Sequence, residues 1–118
     1  MKLKFKIWLV DDEGKTVFGK GGFELLRKVQ EKGSIAEAAK EMGVSYKFAW
    51  EYVKRVNASL GDLEVKKGGR GVGGTKVGEK LAKVLEIYER AEREVNEVLA
   101  KYEREIEEVL KGDGTERG

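Results

Sequence analysis

The C-terminal third of the chain restricts the fold most, because glycine and proline are absent from it for more than four heptads after Gly78. Apolar or small residues recur there at alternate spacings of three and four, and only Glu105 interrupts the pattern. At 1.5 Å per residue, such a helix would be roughly 50 Å long. The sequence therefore predicts one long helix at 77–111 and a disordered tail at 112–118.

The apolar stripe of this helix predicts self-association. A helix of this length cannot bury the stripe against the 76 residues that precede it, whereas a second copy of the helix can. The alternative is a helix that folds back on its own head. The predicted dimer interface comprises Leu81, Val84, Leu85, Tyr88, Val95, Val98, Leu99, Tyr102, Ile106 and Val109.

The composition excludes several kinds of chemistry. The 118 residues include no cysteine and no histidine, which excludes disulfides, zinc fingers and Ser-His-Asp catalysis. The carboxylate pairs Asp11-Asp12 and Glu107-Glu108 are expected to be solvated, in a turn and on a helix face respectively. We therefore expect no enzyme activity, no metal, no cofactor and no small-molecule effector. The absence of a long apolar run predicts a cytoplasmic protein without a membrane span.

The charge is unevenly distributed along the chain. Residues 1–76 hold 16 Lys and Arg against 10 Asp and Glu, whereas residues 77–118 hold 8 against 12. A basic head followed by an acidic tail indicates a polyanionic partner for the head. An unremarkable imbalance on a solvated surface is the alternative.

The first thirty residues predict a hairpin and a helix. Leu3–Val10 is rich in strand-forming residues, and a turn at 11–14 leads to a second strand that ends at Phe18. Apolar residues at helical spacing then predict a helix at Phe23–Lys32, which Gly33 ends. The domain prediction is a head at 1–76 that opens with a β-hairpin at 1–18.

The segment 34–57 predicts a helix-turn-helix. Ser34 is suited to cap a short alanine-rich helix, Gly43 ends that helix, and Ser45 is suited to cap the next one. Glycine supplies the backbone conformation that lets two helices meet at a steep angle. The second helix would present Ser45, Tyr46 and Lys47 to base edges, with Phe48 as a further candidate, while Lys54 and Arg55 reach phosphates. An ordinary helical hairpin is the alternative for this segment alone.

The segment 63–77 predicts a basic wing. Lys66, Lys67, Arg70 and Lys76 bracket five glycines, and such a hairpin is suited to contact phosphates or to enter the minor groove. The glycines also match the dinucleotide-binding pattern GxGxxG at 69–74. That pattern needs a second parallel strand with an acidic residue at its end, and the long helix follows here instead. A phosphate-binding P-loop is excluded because no Gly-Lys-Ser/Thr ends the run.

The motif SIAEAAKEMGVSYKFAW, which begins at Ser34, together with Asn57 and the glycine-rich segment 68–74, resembles the N-terminal domain of the ModE molybdate-responsive regulators. The similarity covers roughly residues 19–80. It implies a winged helix-turn-helix related to the LysR-type head, and a transcriptional regulator that binds palindromic double-stranded DNA as a homodimer. The fold class expected is α+β and mainly helical.

Two departures limit what the resemblance implies. Full regulators of this family carry C-terminal molybdate-binding domains, whereas one helix and a short tail follow the head here. The usual Thr-Pro-x-Gly after the wing is altered around Lys76-Val77-Gly78. We therefore carry over DNA binding and not molybdate sensing. The alternatives are a protein-interaction module built from the head and a coiled coil, and a protein that compacts DNA without sequence preference.

Overall fold

The computed structural model describes residues 1–66 and 74–115, with side chains described as far as Gly112. The chain forms two compact units, one of Ile7–Glu86 and one of Met1–Lys6 with Ile87–Gly118. The larger unit contains two antiparallel hairpins and three helices, and the long fourth helix begins in it. The predicted α+β, mainly helical fold class is confirmed.

The larger unit opens with a short hairpin. Strand β1 (Leu9–Val10) pairs with β2 (Thr16–Phe18) in an antiparallel ladder. The side chain of Asp11 stabilises the turn, because its Oδ1 accepts hydrogen bonds from the backbone N–H groups of Glu13 and Lys15, each at 2.9 Å. The predicted strand at Leu3–Val10 is therefore too long. The returning strand has only three residues before the first helix, so it pairs with no residue before Leu9.

The helices α1 (Lys20–Lys32) and α2 (Ile35–Met42) follow. Helix α1 begins three residues earlier than predicted, since Gly21 and Gly22 are helical. At α2 the predicted cap is confirmed: Ser34 Oγ accepts a hydrogen bond from the backbone N–H of Glu37 at 3.1 Å.

Helix α3 (Tyr46–Leu60) packs its apolar side into the core. Ala49, Val53 and Val56 are fully buried, and they share the core with side chains of β2 and α1. The helix ends three residues later than predicted. In its last turn, Asn57 Oδ1 accepts a hydrogen bond from the backbone N–H of Leu63 at 3.1 Å, which fixes the start of the second hairpin.

Strands β3 (Leu63–Lys66) and β4 (Gly74–Val77) form that second hairpin, with Leu63 opposite Val77 and Lys66 opposite Gly74. The backbone N–H of Thr75 donates to the carbonyl of Gly33 at 3.0 Å. This hydrogen bond attaches strand β4 to the turn between α1 and α2.

Helix α4 spans Glu79–Thr115, so it continues past the predicted end at 111. Gly78 precedes its first residue and has no side chain to cap the helix. Asp62 supplies the missing acceptor, because its Oδ2 accepts from the backbone N–H of Leu81 at 2.9 Å. A Cβ atom at Gly78 would overlap this carboxylate. The first turns of α4 then bury Leu81 and Leu85 in the core of the larger unit.

In the smaller unit the N-terminal segment contacts the second half of α4. The N-terminal ammonium of Met1 lies 2.7 Å from Glu107 Oε2, and the backbone N–H of Leu3 donates to Glu103 Oε2 at 2.8 Å. The hydrogen bond and the charge of the ammonium lower the pKa of Glu107. Glu107, which was expected to be only solvated, therefore also holds the chain terminus.

Candidate nucleic-acid interface

The turn between α2 and α3 is short and closed by hydrogen bonds. Gly43 adopts the left-handed conformation, with φ of 72°, and the backbone N–H of Val44 donates to the carbonyl of Ala39 at 3.0 Å. Ser45 then caps α3, since its Oγ accepts from the backbone N–H of Phe48 at 3.1 Å. Only three residues separate the helices, so the position of α3 follows from that of α2.

Ion pairs also hold α1 against α2. Glu41 of α2 lies 2.6 Å from Lys28 Nζ and 3.1 Å from Lys32 Nζ, both on α1. Hydrogen bonds with these two ammonium groups lower the pKa of Glu41, and the hydrogen bond with Glu41 raises the pKa of Lys28. Ion pairs on the polar side of α2 therefore hold it against α1, in addition to the apolar contacts on its other side.

The first turn of α3 presents all three side chains that were predicted to contact bases. Ser45, Tyr46 and Lys47 are exposed, and Tyr46 keeps 54% of its surface accessible. The Tyr46 ring stacks on Trp50, with the ring centroids 6.4 Å apart. The structure thus brings these three residues together on an accessible surface.

The predicted phosphate contacts are divided between α3 and the second hairpin. Lys54 and Arg55 are exposed on α3, and Lys66 and Lys76 are exposed on the hairpin. Lys76 lies opposite Glu64 in the ladder, which places a carboxylate next to its charge. The remaining two predicted contacts, Lys67 and Arg70, lie outside the described residues.

Tyr52 is an anchor of α3 that the sequence analysis missed. A Cβ atom at Gly22 would overlap its hydroxyl, so α1 and α3 approach closely only because residue 22 is glycine. The Arg55 guanidinium lies 4.8 Å from the centre of the Tyr52 ring. Burial raises the pKa of Tyr52, and the positive charge of Arg55 offsets part of that rise. The signal in the sequence was weak, because a glycine near a helix start predicts a break more readily than a packing contact.

Two further residues of α3 are exposed. Phe48, the further candidate for a base contact, keeps 55% of its surface accessible although it is aromatic. Glu51 is exposed among the basic residues of the helix, and the sequence analysis missed it. Placing α3 on a helical wheel around Ala49, Val53 and Val56 would have identified Glu51. Beside Phe48 lies an apolar cavity of about 340 Å³, lined by residues of all three helices of the head and by Val44 in the turn.

The predicted dimer residues fall into two groups. Leu81, Leu85 and Tyr88 are buried within the single chain. Val84, Val95 and Leu99 are half-buried, whereas Val98, Tyr102, Ile106 and Val109 are exposed. Because a side chain that its own chain covers has little surface left for a partner, only the half-buried and exposed residues remain in the interface that we propose below.

In the ranges 1–66 and 74–112, no group of three or more acidic side chains is placed to hold a metal ion. Among the described helices, none is long and apolar enough to cross a membrane.

Three helices, a tight glycine turn and a β-hairpin after the third helix define a winged helix-turn-helix. Comparison with known sequences supports the same class. No family model matches the chain. It is 38% identical over 71 residues to the transcriptional regulator ModE of Haemophilus influenzae, which covers 58% of this chain and 28% of that protein.

Two more relatives extend the match. The DNA-binding transcriptional dual regulator ModE of Escherichia coli K12 is 31% identical over 81 residues, which are 64% of this chain and 31% of that protein. The molybdenum transport protein ModE of Azotobacter vinelandii is 29% identical over 106 residues, 88% of this chain and 39% of that protein. The chain is thus similar to part of the ModE regulators, consistent with their N-terminal domain, and the resemblance in its motifs is confirmed. It spans about a third of the length of these relatives.

Proposed function

We propose that this protein is a dimeric DNA-binding transcriptional regulator. Helix α3 lies in the major groove, and the second hairpin contacts the phosphate backbone or the minor groove. One observation carries the proposal: the part of α3 outside the core presents Tyr46, Lys47, Lys54 and Arg55 to solvent, while Ala49, Val53 and Val56 are buried in the core. The relatives are named transcriptional regulators, which supports the same function.

The charge of this region supports binding to a polyanion. Residues 44–76 hold 7 basic residues against 3 acidic ones. Lysine and arginine that contact phosphates release counterions, so the affinity should fall steeply as salt increases. Lys66 and Lys76 lie on the strands of the hairpin, where they would contact phosphates on either side of the loop.

The exposed apolar side of α4 supports the dimer. Val98, Tyr102 and Ile106 are spaced by four residues, and Val109 continues the same row. Such a row on a helix is typical of a surface that packs against another helix. A homodimer has a two-fold axis, so two copies of α3 would contact two half-sites of one duplex.

A salt-series titration with a duplex of random sequence tests DNA binding first. We expect micromolar binding at low salt that weakens steeply as salt rises. Lys54→Ala should weaken binding and make the salt slope shallower by about one contact, and so should Lys47→Ala if it also reaches a phosphate. Lys80→Ala, at the exposed start of α4, is the matched control for the loss of one charge. Binding that is absent at low salt, or equally affected by all three variants, would contradict the proposal.

Light scattering of the same samples tests the dimer. We expect the mass of a dimer for the unchanged protein, and of a monomer at the same concentration for a Val98→Glu and Tyr102→Glu double variant. Each introduced carboxylate would be desolvated in a helix–helix interface, which is unfavourable. A monomeric mass for the unchanged protein would show that the row on α4 does not bind a second copy.

A protein-interaction module is the second candidate function, and the same row on α4 is the observation that favours it. If the protein binds no DNA, the exposed apolar face of α4 fits a protein-interaction module better. The titration separates the two candidates, because only the regulator requires the basic side of α3.

A further inference from the structure

The orientation of α3 identifies two further side chains that would face a groove. Ala49, Val53 and Val56 mark the side of the helix that is buried in the core. At 100° per residue, Glu51 projects about 200° from Ala49, close to the opposite side. Phe48 projects about 100° from Ala49 in the other sense, so it lies on the flank of the helix, about 60° from Glu51. Both are exposed in the structure.

Glu51 is a carboxylate at the centre of a basic surface. Lys47, Lys54 and Arg55 lie four residues before it and three and four residues after it. These spacings allow ion pairs within a helix. However, Glu51 forms no ion pair within 4.0 Å with any residue in the part of the chain that the structure describes. Its oxygens therefore remain available as hydrogen-bond acceptors.

A carboxylate on this surface disfavours contact with phosphates, because both groups are anionic. The groove itself offers a group that a carboxylate can recognise. In the major groove, the N4 amino group of cytosine is a donor, and Glu and Asp are the side chains that accept from it. Glu51 is thus unfavourable for binding without sequence preference and favourable for binding at a matching base.

Phe48 is an apolar side chain with more than half of its surface exposed. Its ring centroid lies 6.2 Å from that of Tyr52, so a half-buried neighbour supports one side of the ring. The C5-methyl group of thymine is the apolar feature of the major groove, and phenylalanine is among the side chains that contact it. The exposed ring therefore matches a thymine.

We propose that Glu51 and Phe48 determine the DNA sequence that this protein prefers. Glu51 accepts a hydrogen bond from the N4 amino group of a cytosine, and Phe48 contacts the methyl group of a thymine. The two residues are three positions apart, a rise of about 4.5 Å along the helix. This rise is close to the spacing of about 3.4 Å between adjacent bases, so the cytosine and the thymine lie one or two base pairs apart. The inference rests on the proposed function.

Selection from a pool of randomised duplexes tests the inference, with the full chain and two variants. We expect the unchanged protein to select a site with a cytosine and a thymine in this spacing. Glu51→Gln should change the preferred base from cytosine to adenine at one position, because glutamine pairs with adenine N6 and N7. Phe48→Ala should relax the preference for thymine. Each change in discrimination should be roughly 5- to 150-fold.

A second readout separates base recognition from a merely structural role. On a duplex of random sequence, Glu51→Gln should bind as tightly as the unchanged protein or more tightly, since it removes a charge that repels phosphates. On the selected site it should bind more weakly. Glu13→Gln, in the turn between β1 and β2, removes the same charge and should leave the selected site unchanged.

The outcomes distinguish the inference from the function on which it rests. If Glu51→Gln and Phe48→Ala select the same site as the unchanged protein, the inference is wrong and DNA binding stands. If the unchanged protein binds every sequence equally, the inference is likewise wrong, and DNA compaction is favoured. If the unchanged protein binds no DNA at low salt, the proposed function fails and the inference with it.

Discussion

The two compact units differ in how far their apolar residues are buried. In Ile7–Glu86, apolar side chains from β2, three helices and the start of α4 are buried together. In the unit that contains the rest of α4, Val98 and Val109 remain more than half exposed. The larger unit thus has a core of its own, whereas the smaller unit leaves an apolar row uncovered. The same helix contributes to both, so burial changes along α4 without a change in secondary structure.

The largest expected effect comes from replacing the same residue type at the two ends of α4. Leu85 is fully buried, and Leu110 is 45% exposed. Leu85→Ala should lower the free energy of unfolding by about 2–5 kcal/mol, because it leaves a cavity in the core. Leu110→Ala should change the stability of the larger unit by less than about 0.5 kcal/mol.

Urea denaturation at several protein concentrations measures both variants. A dimer through α4 adds a prediction: the stability of the unchanged protein should depend on protein concentration, whereas the loss in Leu85→Ala should persist at every concentration. Equal losses in the two variants at low concentration would contradict the contrast between the two units.

The next effect tests how closely the larger unit is packed. Gly22→Ala places a methyl group where the Tyr52 hydroxyl lies, so it should destabilise the protein by about 1–3 kcal/mol. Its neighbour provides a matched control, since a Cβ atom at Gly21 would meet no atom within 4 Å among the described residues. Gly21→Ala should stabilise the helix by about 0.5–1 kcal/mol. Thermal unfolding should therefore move in opposite directions for the two variants.

The Gly21-Gly22 pair also illustrates what the sequence could not predict. Local rules correctly predicted the caps at Ser34 and Ser45, because each cap depends on residues within one turn. The predicted start of α1 was wrong, because two adjacent glycines predict a break unless a side chain from a distant helix packs against them. Contacts between residues far apart in the chain decide such positions.

In the candidate site too, the features that depend on nearby residues were predictable, and those that depend on distant contacts were not. The pattern of 34–57 was enough to predict the helix-turn-helix and the exposed basic residues of its second helix, although Glu51 was missed. The length of the first strand was not predictable from strand propensity, since a strand needs a partner and β2 is only three residues long. Tyr52 was missed because its role depends on Gly22 of another helix.

A smaller effect is expected at the start of α4. Asp62 has a positive φ of 68°, and its carboxylate accepts from the backbone N–H of Leu81. Asp62→Ala should cost about 0.5–2 kcal/mol for the lost cap. It should also strain the backbone, since alanine tolerates this conformation poorly. Asp62→Asn retains both an acceptor and tolerance of this φ, so its unfolding midpoint in urea should remain near that of the unchanged protein. A large loss in Asp62→Asn would show that the charge, and not the hydrogen bond, is what stabilises the helix start.

The smallest effect concerns the ion pairs of Glu41, whose pKa is lowered chiefly by its hydrogen bond with Lys28. A carboxyl group with a lowered pKa stabilises the folded state at pH values above its unfolded pKa, which is about 4.3. This stabilisation is lost as the pH falls through the lowered pKa of the folded state. Glu41→Gln should therefore unfold at a slightly lower temperature than the unchanged protein near pH 7, and at the same temperature in strong acid.

The pKa of Lys28 is raised by its hydrogen bond with Glu41. The stabilisation by this ion pair should therefore also be lost at high pH. Its contribution is complete below the ordinary lysine pKa of about 10.4 and disappears as the pH rises through the raised value. The difference in melting temperature between the unchanged protein and Glu41→Gln should thus be largest between pH 5 and 10 and should shrink with added salt, because the pair is exposed to solvent.

Glu107→Gln is the matched change in the smaller unit, where the ammonium of Met1 lowers the carboxyl pKa. It should leave the melting of the larger unit unchanged, and a shift equal to that of Glu41→Gln would mean that the two units do not unfold separately.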